Sequence, residues 1–278
     1  VLTVVDSIPE NNGDNVFRSS FFGTERVFHT VEEIDPAKLP SIAPPPGTSI
    51  PTLEWIINRF KMMQLDPDGC CVSIDLHAVD NFCEGSISRN CGYGGHVALD
   101  NSDAALRLMM DDPYADKYPA LIHYLQFGLD LYYQMKAGVR WNPNGGHGTG
   151  RKLPIIFTSI ILDNQEMKDA VRNVPKEVGD ASIFQEDGFL HTGYNSISIF
   201  GTGGNYWENQ VTDYGSRTSA DPYGYIDGTR IPGTSYQLIN SGTWRGPAIA
   251  MKLMPEIENI WDNLLFLQYV DRWVYQGS

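Results

Sequence analysis

No apolar stretch of the sequence runs much beyond about ten residues, the longest being Leu153 to Leu162 and Ile260 to Val270, whereas a bilayer-spanning helix needs roughly twenty. A membrane span is not expected. Positive charge is also scarce: 20 Lys and Arg stand against 34 Asp and Glu, a formal net charge of −14. No segment gathers the basic residues on one face, and such a field repels phosphate backbones, which argues against nucleic acid as a partner. It would also repel an acidic polysaccharide at long range. A polyuronate therefore needs a local basic cluster, for which Arg140, Arg151 and Lys152 are the candidates.

Cysteine is confined to Cys70, Cys71, Cys83 and Cys91, whose spacing is not that of the paired CxxC of a zinc site. HExxH is missing, and Asp66-Pro67-Asp68-Gly69 lacks the spacing of an EF-hand. Neither a metal nor another cofactor is expected. The clustered cysteines suit one or two local disulfides, Cys83 with Cys91 among the options, in an oxidising compartment; ordinary free thiols are the alternative. The sequence opens on Val1 without the basic, apolar, small-residue order of a signal peptide, so a processed or trimmed start is expected. A secreted or periplasmic protein fits this combination.

What is present is a folded chain: 42% hydrophobic, 12% aromatic and 19% charged over 278 residues, long for one average domain and short for two. Residues 1–48 have weak periodicity and end in Ala43-Pro44-Pro45-Pro46-Gly47, a helix-excluding spacer that reads as an arm or connector. Residues 49–278 form one domain. Apolar residues at helical spacing predict helices from Pro51 to about Gln64, Val97 to Met110, Tyr118 to Ala137, Pro154 to Leu162, Met167 to Val174, Gly246 to Leu253 and Glu256 to Tyr275. Residues 66–96, which hold the cysteines, read as a long loop, and 182–245 as a stretch rich in Gly, Tyr, Thr and Ser. The class is mainly α. Helix and loop recur without an internal sequence repeat, which suits paired helices around a ring: an α/α toroid, open or incomplete because full toroids use more helices.

The segment Trp141-Asn142-Pro143-Asn144-Gly145-Gly146-His147-Gly148-Thr149-Gly150-Arg151-Lys152-Leu153-Pro154-Ile155, followed by Phe184-Gln185-Glu186-Asp187-Gly188 and the closing Tyr269-Val270-Asp271-Arg272-Trp273, resembles bacterial α/α-toroid proteins near the polysaccharide lyases of the alginate and glucuronan lyase kind. The resemblance covers about residues 115–275. It implies the fold more securely than the reaction.

Taken physically, four glycines surround His147 between Gly145 and Gly150 and lead into a helix at Lys152, so backbone amides can approach a ligand closely. The GxxxxGK[ST] order of a phosphate loop is absent. His147 is a candidate general base, with Arg151 or Lys152 pairing a substrate carboxylate and Asn144 beside them; the alternative is a tight turn with Arg151 in a structural ion pair. A second group holds Glu186, Asp187, His191, Tyr194 and Asn195. In uronate elimination a base removes the C5 proton, a neutraliser holds the carboxylate and a tyrosine protonates the leaving oxygen, so Tyr194 is the candidate acid and Asn195 the neutraliser. In a hydrolase, Glu186 or Asp187 protonates the glycosidic oxygen; helix capping is the structural alternative. A third group, Asn205, Trp207, Tyr225 and Asp227 with their neighbours, offers aromatic faces for pyranose rings, or simply packs beneath a loop. His29, His77, His96 and His123 read as structural, although His96 lies where it can reach the site, and Trp244, Trp261 and Trp273 read as core.

These readings converge on a carbohydrate-active enzyme, a lyase acting on a uronate-containing polysaccharide or oligosaccharide without a redox cofactor. A glycoside hydrolase on the same scaffold and a non-catalytic carbohydrate-binding or structural protein are the alternatives. Nothing in the sequence sets the oligomeric state.

Overall fold

A computed structural model of the chain describes residues 13–18, 27–61, 94–143, 146–176, 181–192, 198–200 and 235–276. The expected disulfides at 70–91 and the aromatic group at 205–227 lie outside the described residues.

The fold is mainly helical. In chain order the elements are α1 (Leu53–Phe60), α2 (Gly94–Leu108), α3 (Tyr114–Lys136), α4 (Lys152–Ile161), α5 (Gln165–Arg172), the single turn α6 (Gln185–Gly188), a short antiparallel pair β1 (Leu190–Thr192) and β2 (Ser198–Phe200), then α7 (Ser235–Leu253), α8 (Pro255–Trp261) and α9 (Leu264–Gln276). Among the described residues no helix is long and apolar enough to cross a membrane.

Helix starts follow local chemistry. The Thr52 hydroxyl accepts a hydrogen bond from the Trp55 amide and opens α1, and the Asn164 side chain does the same for Met167 and α5. Helix α3 begins a turn earlier than the apolar periodicity predicts, because Pro113 itself supplies the carbonyl that takes the Asp116 and Lys117 amides. Lys117 is buried there, and its ammonium donates to the carbonyls of Leu108 and Met110 at the end of α2.

Helix α4 is the centre of the molecule. All ten of its residues are buried, and it is packed by α2, α3, α5 and α8. Its Leu153, Ile155, Ile156, Phe157, Ile160 and Ile161 are apolar on every side, which is the pattern of a helix surrounded by other helices rather than one with a solvated stripe. Helix α7 in turn packs on α2, α8 and α9.

Helix α7 begins at Ser235 rather than at the expected Gly246, inside the stretch read as loop, and two further parts of the chain also differ from expectation. The described part of the N-terminal segment is built into the body: Phe17 is buried, its amide donates to the His29 carbonyl, the Asp35 amide donates to the Ile161 carbonyl, and the Ile42 amide donates to that of Met109. The predicted last helix is two, α8 and α9, divided at Asp262, whose φ of 49° is left-handed. The reason for that break lies in the buried network described below.

Helices α3 and α4 cross closely at Gly128, where an added methyl carbon would lie 2.0 Å from Thr158 Oγ1 and 2.5 Å from the Pro154 carbonyl oxygen. Gly128→Ala is expected to destabilise the fold by roughly 1–3 kcal/mol or more despite alanine's higher helix propensity. Chemical denaturation monitored by circular dichroism measures it, and an unchanged midpoint would refute the close crossing.

Candidate active site

The two motifs that carry the sequence resemblance are interlocked. Trp141 enters beside Phe184 as an isolated parallel bridge, its amide donating to the Ile183 carbonyl at 2.7 Å, and the two rings stack at 5.9 Å. This brings α6 against the glycine loop. Gln185 Oε1 accepts from the Gly148 amide at 2.9 Å, and Glu186 Oε1 accepts from the Gly150 amide. The turn of α6 thus satisfies loop amides that precede α4 and have no helical partner of their own.

The glycines make the fit possible. Gly150 has φ of 94°, and a methyl carbon on it would fall 2.4 Å from Ala98 Cα on α2. The carbonyl of Gly150 accepts from the Asn101 side chain at 2.8 Å, so the first turns of α2 close the loop from the other side. His96 stands on that same helix end, two positions before Ala98. Thr149 Oγ1 accepts from the Trp244 indole of α7 at 2.9 Å.

The charged residues of the two motifs face inward. Lys152 and Asp187 are each fully buried and paired, with Nζ at 2.7 and 2.9 Å from the two carboxylate oxygens. Lys152 also donates to the Trp261 carbonyl at 3.0 Å, and its ammonium lies 4.7 Å from the Trp261 ring centre. Asp187 accepts from the Asn263 side chain, and Asn263 in turn accepts from the Leu265 amide. The ion pair thus takes the last carbonyl of α8 and orients the residue that caps α9, which fixes the break between the two helices at Asp262 and Asn263. Burial pulls the Lys152 ammonium down while Asp187 opposes that pull.

Arg151 is 2% exposed and donates to the carbonyls of His147 and Thr149. With Lys152, it is spent inside the protein, so the basic cluster expected at 140–152 does not form one surface; Arg140 is exposed and donates to the Ala181 carbonyl. Glu186 is fully buried, and among the described residues its Oε2 has no hydrogen-bond partner. Burial pushes its carboxyl from 4.5 up to about 7, against the opposing Gly150 amide.

His147 stands apart from these. It is half-buried, on the loop's outer part, while Gly148, Thr149, Gly150, Arg151 and Lys152 behind it are buried. Of the other expected site residues, Asn144, Tyr194, Asn195, Asn205, Trp207, Tyr225 and Asp227 lie outside the described residues, as does the side chain of His191, whose backbone pairs with Ile199. Among the described residues no group of three or more His, Cys, Asp or Glu is placed to hold a metal ion. The sequence reading passed over Gln185, Asn240 and Asn263. Gln185 donates to Asn240 Oδ1 at 2.6 Å and so ties α6 to α7, but only its place inside a quoted motif hinted at a role.

Lys152→Met strands the Asp187 carboxylate in the interior and is expected to cost about 3–5 kcal/mol, whereas Lys152→Met with Asp187→Leu recovers much of it. Urea melts of the single and double variants measure this, and equal losses would refute the pairing.

Glu186 keeps its proton in the folded chain over the range in which the unfolded chain loses it. Its contribution to stability therefore falls as pH rises from about 4.5 to about 7. Glu186→Gln should flatten that decline and leave the protein more stable than the parent at pH 8. Melting temperatures across this range would show it, and parallel curves would refute it.

No protein-family model matches the chain, and no curated protein and no solved structure matches it.

Proposed function

We propose that this protein is a secreted or periplasmic carbohydrate-active enzyme on an α/α-toroid scaffold, cleaving a uronate-containing polysaccharide by β-elimination. The scaffold reading draws on helices that contact their chain neighbours, α3 with α4, α4 with α5 and α7 with α8. One observation carries the chemistry. His147 is a half-buried imidazole on a loop whose amides are fixed from behind by Gln185 and Glu186, the rigid support a general base requires.

In this reading His147 takes the C5 proton and the C4–O bond breaks. The electron pair becomes the C4–C5 double bond, and Tyr194 protonates the leaving oxygen. Asn195 neutralises the uronate carboxylate, and Asn144, His191, Asn205, Trp207, Tyr225 and Asp227 contact the sugars. Arg151, Lys152, Glu186 and Asp187 hold the loop in place without touching substrate, in keeping with their burial. That same burial favours a second reading, a carbohydrate-binding protein without catalysis, because it leaves the interior charges balanced against one another.

Incubation with a panel of polyuronates should generate unsaturated ends that absorb in the ultraviolet. His147→Ala should lose about a hundredfold to ten-thousandfold of that rate while keeping its melting temperature. Reducing ends without absorbance would replace the lyase by a glycoside hydrolase on the same scaffold. Neither signal, with retained polysaccharide binding, would leave the non-catalytic reading.

A further inference from the structure

A separate cavity of about 430 Å³ opens between the N-terminal segment, the end of α1 and the first half of α3. Its volume falls in the range of small-molecule sites, roughly 300–1,000 Å³. One side is apolar and aromatic, formed by Phe17, Val31, Tyr118 and Ile122. The other carries Arg18, Lys61 and His123.

These three nitrogen-bearing groups come from three different parts of the chain, and in a protein of net charge −14 their convergence on one cavity is unusual. Arg18 is anchored by Asp130 of α3, while its backbone amide and carbonyl are held by Gln126. The Lys61 ammonium donates to Asn58 Oδ1 at 2.8 Å, which leaves further donor capacity, and neither nitrogen of the half-buried His123 has a hydrogen-bond partner among the described residues. Asp14 also lines the cavity at its exposed edge.

We propose that this cavity binds an organic carboxylate with a ring-sized apolar body, its carboxylate between Lys61, His123 and Arg18 and its body against Phe17, Tyr118 and Ile122. The field at the imidazole agrees with this placement. Burial and then the charges of Lys61 and Arg18 hold the His123 pKa below its ordinary value, so the cations outweigh Asp14 and Asp130 at that position. A bound carboxylate offsets the two cations, accepts from the imidazole and raises that pKa, so binding tightens as pH falls toward it. The site is independent of the carbohydrate reading and shares no residue with the glycine loop.

Benzoate is the probe, with benzyl alcohol as its neutral counterpart. Titrated into the full chain, benzoate is expected to shift the His123 ring signals in the NMR spectrum saturably and to raise the His123 pKa, while benzyl alcohol does neither. Lys61→Met, on an exposed side chain that carries no core packing, should weaken benzoate roughly tenfold or more, as loss of a charged hydrogen bond does. Calorimetry on His123→Gln gives a second measure, with weaker binding and a flattened pH dependence expected. Equal binding of benzyl alcohol, binding of inorganic phosphate but not benzoate, a saturable benzoate effect unaltered by Lys61→Met, or no shift at His123 would each overturn the proposal.

Discussion

An ammonium and a carboxylate withdrawn completely from water, Lys152 and Asp187, hold the middle of this molecule together. Each ion loses several kcal/mol of hydration, which the interior returns only if every remaining donor and acceptor is satisfied. Here the surroundings meet that demand: the Trp261 carbonyl and two aromatic rings receive the ammonium, and Asn263 donates to the carboxylate. The geometry of α4, α6, α8 and α9 follows from that requirement. Helix α8 stops where its carbonyl is claimed, and α9 starts where Asn263 is oriented.

The glycine loop inherits its shape from the same place. It precedes Lys152 directly, so fixing the first residue of α4 fixes one end, while Gln185 and Glu186 on the turn beside Asp187 receive its amides. Small residues are needed because three neighbours press on the loop at once: α2 at Gly150, α6 at Gly148 and the indole of α7 at Thr149. What reaches the outside is His147. Buried partners behind the loop thus hold one half-buried imidazole in a fixed place.

Local pattern made much of the helical layout legible. The 3.6-residue repeat of apolar side chains placed α1, α3, α4 and α5 within a turn or so of where they lie. Trp244 and Trp261 proved to be core, as their helical setting implied. The division of the last helix was only half legible: Asp262-Asn263 interrupts the apolar run, but Lys152 and Asp187, which fix the break, lie far away in the chain. Nor was the fate of Arg151 and Lys152: a charged residue beside a glycine loop reads as a substrate ligand, and only its partner, 35 positions on for Lys152, makes it structural. The packing of the N-terminal segment was not legible either, since it rests on scattered backbone hydrogen bonds, the Arg18–Asp130 pair, the His29–Tyr133 hydrogen bond and buried Phe17 and Ile34 rather than on a repeat.

The span of these contacts bears on how the chain acquires its shape during synthesis. Lys152 meets Asp187 after 35 residues and the Trp261 carbonyl only after 109. Until α8 leaves the ribosome, the central helix carries a cation whose coordination is incomplete and lacks one of the four helices that pack on it. The nascent chain therefore waits for a partner carbonyl that is made 109 residues after the lysine it receives. Closure of the central network is timed by the arrival of α8 and Asn263.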